Sequence, residues 1–183
     1  MSLTLFLLMR HGKADFSGPN KWNAHGWSSE LAPLTEIGEK QVMQQIGRIL
    51  EFNPEIVLSS PATRALQSAL ILRSGLSVPF KVEFDLHEWV PDRNFQWRNI
   101  KEVDRLRADF IQCNGEYPVG ETRPWETLSH MQSRATAVLR KYISYKRVLV
   151  VCHGELIKSL TQKDHFDTHM DNASLVPFEL KES

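Results

Sequence analysis

The chain has 183 residues, of which 42% are hydrophobic and 24% are charged, and its 22 basic residues balance its 22 acidic residues. A chain of this length and composition buries a substantial core, so we expect one globular domain over residues 1–183. The zero net charge provides no long-range attraction for nucleic acid or for an anionic membrane, so any anion site has to be built locally.

The first apolar run and the cysteines indicate the compartment of the protein. Residues 3–9 are apolar but too few for a membrane span, and Arg10 and His11 follow them where a signal peptide needs small residues. The two cysteines, Cys113 and Cys152, form no disulfide framework. We therefore expect a cytoplasmic protein with neither a membrane nor a nucleic acid as partner. The sequence leaves the oligomeric state open.

Short apolar runs alternate with segments of helical periodicity along the chain. The runs predict strands at 3–9, 56–58, 81–85, 147–152 and 174–180. Helices are predicted at 36–53, 61–74, 100–110, 124–145 and 155–163. This alternation predicts an α/β fold, a three-layer sandwich with a mostly parallel central sheet and helices on both faces. Pro177 lacks a backbone donor, which predicts that the last strand lies at an edge of the sheet.

Polar side chains follow four of the predicted strands. Arg10 and His11 follow the first, Arg64 lies beyond the second, Glu88 beyond the third and His153 directly after the fourth. Ligands of open α/β sheets gather at the carboxyl ends of the strands, and the planar fork of arginine matches phosphate oxygens. One strand-end histidine alone is more often structural than catalytic. The joint pattern favours a site that holds a phosphoryl group against a nucleophile.

Several separated motifs resemble those of the histidine phosphatase superfamily, which includes cofactor-dependent phosphoglycerate mutases and many small phosphatases. Arg-His-Gly lies at 10–12, Leu-Thr-x-x-Gly-x-x-Gln at 34–41 and Ser-Pro-x-x-Arg-Ala-x-Gln-x-Ala at 60–69. An acidic residue closes Leu86-His87-Glu88, and a second His-Gly lies at 153–154. The matches run in order from the first strand to the last, so the resemblance covers nearly the whole chain.

The resemblance implies a role for each polar residue at the strand ends. His11 is expected to be phosphorylated as a covalent intermediate. Arg10, Arg64 and His153 are expected to bind the phosphoryl group, and Glu88 to donate a proton to the leaving oxygen and then to activate water.

The chemistry of a histidine nucleophile agrees with these roles. One ring nitrogen of His11 must be unprotonated while the other donates to a fixed acceptor, and nearby guanidinium groups disfavour the imidazolium. Their charge also stabilises the equatorial oxygens in phosphoryl transfer, so neither a metal nor a cofactor is required. Glu88 must be protonated when the leaving group departs, and His87 beside it is a rival donor.

Other aromatic and histidine side chains are less specific signals. Trp22, Trp27 and Trp97 lie in loops and are candidates for the mouth of a substrate site, although loop tryptophans as often pack a loop onto the body. The remaining histidines show no spacing typical of a metal site; they are His25, His130, His165 and His169.

The leading hypothesis is a phosphomonoester hydrolase acting through phospho-His11. A mutase of the same family and a non-catalytic module that binds phosphorylated ligands are the alternatives. A cysteine phosphatase is disfavoured, because Lys158 stands where that mechanism needs an arginine after Cys152. Expected substrates are small sugar or cofactor phosphates, or phosphohistidine proteins, and the sequence does not choose among them.

Overall fold

The computed structural model describes residues 3–18, 26–161 and 167–181. Five strands form one sheet: β1 (Leu3–Arg10), β2 (Ile56–Ser59), β3 (Phe80–Val82), β4 (Arg147–Cys152) and β5 (Leu175–Lys181). Their order is β3-β2-β4-β1-β5, and all neighbours are parallel except β5, which runs antiparallel to β1. The mostly parallel sheet is therefore confirmed, and β5 lies at an edge as Pro177 predicts.

Within the described ranges, six helices of seven or more residues connect these strands. They are α1 (Glu36–Met43), α2 (Ile46–Phe52), α3 (Thr63–Arg73), α4 (Ile100–Gln112), α5 (Leu128–Arg140) and α6 (Gly154–Thr161). Short 3-10 turns lie at Gly26–Leu31 and Phe84–Leu86. Across the described ranges, no helix is both long enough and apolar enough to cross a membrane.

The two faces of the sheet carry separate clusters of buried apolar side chains. In β4, Val148 and Val150 belong to one cluster while Leu149 and Val151 belong to the other, as the pleat of a strand requires. Helices α4, α5 and α6 contribute Phe110, Met131 and Leu156 to the first cluster, and α1, α2 and α3 contribute Val42, Ile49 and Ala65 to the second. Helices thus cover both faces, which confirms the three-layer sandwich.

The segment predicted as one helix over 36–53 is two helices with a break at Gln44 and Gln45. Val42 in α1 and Ile49 in α2 are both fully buried. Ile37, which contributes to the predicted apolar pattern, is exposed. Because Val42 and Ile49 keep the i, i+7 spacing of a single helix, the apolar pattern does not reveal the break.

The predicted helix over 124–145 is also shorter in the structure. Helix α5 begins after Thr127, whose hydroxyl accepts a hydrogen bond from the His130 N–H at 3.1 Å. Trp125 precedes the helix and is fully buried, with its indole N–H donating to Asp109 Oδ2 at 2.8 Å. The burial predicted for Trp125 is correct, but it comes from the loop that leads into α5.

Two motif glycines form a contact between the loop after β1 and helix α1. A Cβ on Gly12 would lie 2.4 Å from the carbonyl oxygen of Gly38, and a Cβ on Gly38 would lie 2.2 Å from that of Lys13. Real Cβ atoms essentially never approach this closely. Both positions therefore require glycine so that α1 can pack against the segment that carries His11.

We expect Gly38→Ala to lower the free energy of unfolding by about 1–3 kcal/mol, since backbone must shift to admit the methyl group. Denaturant unfolding followed by circular dichroism measures this change. Gly47→Ala is the matched control, because Gly47 lies exposed in α2 with no described atom within 4 Å of an added Cβ. The control should be neutral or stabilising by up to about 1 kcal/mol. Equal stabilities of both variants would contradict the packing argument.

Candidate active site

The carboxyl ends of β1 and β4 bring two histidines together. Arg10 pairs with Cys152 in the parallel register, and the His11 N–H donates to the Cys152 carbonyl at 3.0 Å. The next residue in each strand direction is a histidine, and the ring centroids of His11 and His153 are 5.1 Å apart. The structure thus places these predicted site residues at one edge of the sheet.

The His11 ring has one protonated nitrogen and one unprotonated nitrogen. Nδ1 lies 2.7 Å from the carbonyl oxygen of Gly12, which assigns the proton to Nδ1. Nε2 accepts a hydrogen bond from Arg64 Nε at 3.2 Å. Burial, and then the charge of Arg64, lower the pKa of His11 to about 3. The imidazole is therefore neutral at ordinary pH, and its Nε2 is unprotonated.

Arg64 is buried at the start of α3, with 4% of its surface exposed. Taken alone in the sequence, an arginine there is expected on a solvated helix surface. Its Nη1 donates to the Ser29 carbonyl at 3.3 Å, and its Nη2 lies 3.1 and 3.2 Å from the two carboxylate oxygens of Glu30. The Nη2 group is also 3.4 Å from Nδ1 of His153. Arg64 therefore contacts both histidines at once.

His153 is fully buried behind Arg64. Its Nε2 lies 2.7 Å from Ser60 Oγ, and with Nδ1 facing Arg64 the ring donates from Nε2 to Ser60. Burial, followed by the charge of Arg64, holds the pKa of His153 well below its usual range. In this arrangement His153 supports Arg64, and its predicted contact with a phosphoryl group stays a prediction.

Arg10 is the last residue of β1, so it lies at the same carboxyl end of the sheet as His11. Its Nη1 donates to the carbonyl of Met170, and a Cβ on Gly154 would lie 3.4 Å from Arg10 Nε, so the guanidinium lies close over that glycine. Among the described residues, the buried Nε of Arg10 has no hydrogen-bond partner. An unpaired buried donor costs about 1–3 kcal/mol. An anion bound beside His11 would supply an acceptor for it.

Glu88 follows the 3-10 turn after β3 in the chain, and its side chain contacts the first turn of α6. Its Oε1 accepts hydrogen bonds from the backbone N–H groups of Trp89 at 2.9 Å and Leu156 at 3.3 Å. Burial, and then the nearby carboxylate of Glu155, raise the pKa of Glu88 above its ordinary value. Glu88 therefore keeps its proton to higher pH than a free glutamate does, as a proton donor needs to.

His87, the rival proton donor, is buried, and its carbonyl oxygen accepts a hydrogen bond from Arg134. Burial, and then the charge of Arg134, lower the pKa of His87. Its Nδ1 lies 2.7 Å from the carbonyl oxygen of Glu88, which occupies the single N–H of the neutral ring. The geometry therefore leaves His87 less able than Glu88 to give up a proton.

The sequence did not predict a buried ion pair between Arg134 and Glu126, which holds the segment that carries Glu88. Arg134 and Glu126 are 8% and 2% exposed and are joined by hydrogen bonds of 2.6 and 2.9 Å. Arg134 also donates to the carbonyl oxygens of Asp85, His87 and Glu88 at 2.6, 2.9 and 3.2 Å. The sequence signal for it was Arg134 itself, a charged residue next to the inward positions Met131 and Ala135 of the predicted helix.

The three tryptophans proposed for the substrate mouth differ in position. Trp27 packs against Phe84 and Phe95, with ring centroids 5.8 and 5.3 Å away, and against His87 at 5.4 Å. Trp97 is nearly buried beside Phe95, and Trp22 lies outside the described residues. Trp27 is thus part of an aromatic cluster that includes His87, the neighbour of Glu88 in the chain, and Trp97 packs against Phe95 of that cluster.

Metal-ligating side chains do not cluster in the described ranges. No group of three His, Cys, Asp or Glu residues there is arranged to hold a metal ion. His130 pairs with Glu126 at 2.9 Å and His169 with Asp171 at 3.3 Å, while His25 and His165 lie outside these ranges.

Comparisons with known proteins agree on family and fold. The family model of the histidine phosphatase superfamily (branch 1) matches residues 6–183. The uncharacterized phosphatase PhoE of Bacillus subtilis (strain 168) is 26% identical over 178 residues, which are 95% of this chain and 84% of that protein.

Two solved structures share the architecture. Bacillus stearothermophilus YhfR has a TM-score of 0.72 at 23% identity, covering 95% of this chain and 90% of that one. A mycobacterial glucosyl-3-phosphoglycerate phosphatase has a TM-score of 0.72 at 18% identity with the same coverage, 95% and 90%. Because the family model spans nearly all of the sequence and these structures share its fold, the chain belongs to the histidine phosphatase superfamily, as its motifs predicted.

Proposed function

We propose that this protein hydrolyses phosphate monoesters through a phosphohistidine formed on His11. The observation that carries the proposal is the state of the His11 ring. Its Nδ1 is bonded to the Gly12 carbonyl, and its unprotonated Nε2 faces the guanidinium of Arg64. Membership of the family and the likeness to a protein named a phosphatase support the same activity.

In the first step, the Nε2 lone pair of His11 attacks phosphorus and the bond from phosphorus to the ester oxygen breaks. Glu88 gives its proton to that oxygen, so the alcohol leaves neutral. Arg10 and Arg64 stabilise the charge on the equatorial oxygens, which is most of the work in phosphoryl transfer. The Gly12 carbonyl accepts the Nδ1–H and stabilises the positive charge that the ring acquires.

In the second step, water attacks the phosphohistidine. The carboxylate of Glu88 takes a proton from water while the water oxygen bonds to phosphorus and the bond from phosphorus to Nε2 breaks. The products are inorganic phosphate, neutral His11 and protonated Glu88, so the site returns to its starting state. Glu88 is preferred to His87 as the proton donor because burial lowers the pKa of His87 and its Nδ1–H is already bonded.

Trp27 is proposed to contact the leaving group of the substrate. It packs on His87, the neighbour of Glu88, and the leaving oxygen has to lie beside Glu88. We expect Trp27→Leu to raise the KM of esters with bulky leaving groups several-fold, which corresponds to the roughly 0.5–1.5 kcal/mol that one aromatic contact contributes, with kcat less affected. Steady-state kinetics on a series of esters measures this change. An unchanged KM for every ester would show that Trp27 does not contact the leaving group.

A panel of phosphate monoesters tests the proposed activity. A hydrolase releases inorganic phosphate from monoesters without an added bisphosphate, whereas a mutase moves the phosphoryl group between hydroxyls of one acid. A module that only binds phosphorylated ligands does neither. Failure to release phosphate from any small sugar, cofactor or protein histidine phosphate would reject the hydrolase.

Two further expectations accompany this function. A cytoplasmic location is supported by the two free thiols, Cys113 and Cys152. A single domain is supported by the two apolar clusters, which lie on opposite faces of one shared sheet. Cell fractionation tests the location, and recovery of the protein outside the cytoplasm would contradict it. Limited proteolysis tests the single domain, and two separately stable fragments would contradict it.

A further inference from the structure

The 3-10 turn Gly26–Leu31 supplies an internal anion to Arg64. Both carboxylate oxygens of Glu30 lie within 3.2 Å of Arg64 Nη2, and the Ser29 carbonyl accepts from Nη1 at 3.3 Å. The side chain of Glu30 is only 15% exposed. The remaining donor, Nε, bonds to Nε2 of His11. Ser29, Glu30 and the two histidines thus engage all three nitrogens of this guanidinium.

A phosphoryl group bound to Arg64 needs the same outer edge of the guanidinium. Phosphate and carboxylate both accept from the arginine fork through charge-assisted hydrogen bonds. Two anions held side by side in a partly buried site repel each other strongly, because screening by water is weak there. Glu30 and a phosphoryl group therefore compete for Arg64.

We propose that Glu30 is an internal competitor for the phosphoryl site, displaced when the ester binds and returning to Arg64 to help expel inorganic phosphate. This inference rests on the proposed function, since it takes Arg64 as the phosphate ligand. Glu30 is a positioning residue in this account and takes no part in bond making.

The turn that carries Glu30 is anchored close to the site. Three residues earlier, Trp27 packs against Phe84 and His87 with centroids 5.8 and 5.4 Å away. A displaced Glu30 consequently stays tethered near Arg64 and acts at a high effective concentration. Such a competitor weakens the binding of phosphate without blocking the site permanently.

Titration calorimetry with inorganic phosphate tests the proposal on the wild-type protein, Glu30→Gln and Glu39→Gln. Removing the competing charge should lower the Kd of phosphate for Glu30→Gln by about tenfold, roughly the difference between a charged and a neutral acceptor on arginine. Glu39 is exposed on α1, so Glu39→Gln removes an equal charge and should leave Kd within about twofold of wild type. Product inhibition of Glu30→Gln by phosphate should tighten in parallel.

An unchanged or higher Kd in folded Glu30→Gln would overturn the proposal, a higher value meaning that Glu30 instead holds Arg64 in place for phosphate. Arg64→Met separates this failure from failure of the proposed function. If Arg64→Met binds phosphate as tightly as wild type, the phosphate site itself is wrong. Should Glu30→Gln not fold, Glu30→Asp keeps the charge but shortens its reach, and a lower Kd supports the competition whereas an unchanged one rejects it.

Discussion

Replacing His11 with asparagine should lower kcat for every phosphate monoester by on the order of 10⁵-fold or more, as loss of a covalent nucleophile does in other enzymes. Asparagine retains a side-chain amide for the Gly12 carbonyl, so the surrounding loop loses little support. The arginines remain, and binding of inorganic phosphate should persist. Release of phosphate from p-nitrophenyl phosphate, with calorimetry for binding, measures the two effects separately.

His169→Asn is the matched control for this substitution. The His169 side chain is 81% exposed and pairs with Asp171 on the surface. This control should keep wild-type kcat. Retention of more than about a hundredth of wild-type kcat by His11→Asn, a loss smaller than the roughly 10²–10⁴-fold effect of even an acid–base residue, would mean that His11 is not the phosphoryl acceptor.

Replacing Glu88 with glutamine should have an effect that depends on the leaving group. For alkyl phosphates, whose alcohols need a proton to depart, phosphoenzyme formation should slow by about 10²–10⁴-fold. For p-nitrophenyl phosphate, whose leaving group departs as the anion, the first burst of product should stay near the wild-type rate. Hydrolysis of the phosphohistidine should then be slow, because the base that activates water is also missing.

The pH dependence of phosphoenzyme formation follows from the two shifted pKa values. Activity needs Glu88 protonated, and its pKa is raised, so the rate falls only as pH rises through that raised value. Activity also needs His11 unprotonated. Because the pKa of His11 is about 3, protonation of His11 lowers the rate only when the pH falls close to that value. Glu88→Gln should abolish the alkaline decline with alkyl esters.

Glu51→Gln, at an exposed position of α2, is the control for loss of a carboxylate. It should leave both the leaving-group dependence and the pH profile unchanged. If Glu88→Gln slows the aryl and alkyl esters by the same factor, Glu88 is not the proton donor.

The place of the site, at the carboxyl ends of the strands, could be predicted from sequence because it depends only on where the strands end. Arg10, His11 and His153 directly follow apolar runs, and parallel strands deliver the residues that follow them to one edge. Family recognition from the ordered motifs is likewise confirmed. The catalytic roles of these residues stay predictions, which the substitutions above test.

Other parts of the site depend on contacts that no local pattern records. The sequence predicts Arg64 as a phosphate ligand only through the motif at 60–69; taken alone it is an ordinary polar helix residue, yet it is buried against Glu30 and His11. Arg134 looks like an interruption of an apolar face, and only the fold reveals the carbonyl of Glu88 as one of its partners. Such pairs are far apart in the chain, so they follow from the packing of helices on the sheet.

The most direct test of the central claim is to trap the phosphoenzyme. The protein is mixed with a phosphorus-labelled monoester, quenched in alkaline denaturant within milliseconds, digested and analysed by mass spectrometry. We expect a phosphoryl group that is labile in acid and stable in base, located on the peptide that contains His11, and absent from His11→Asn. Steady hydrolysis with no labelled protein, or a label on another residue, would contradict the mechanism.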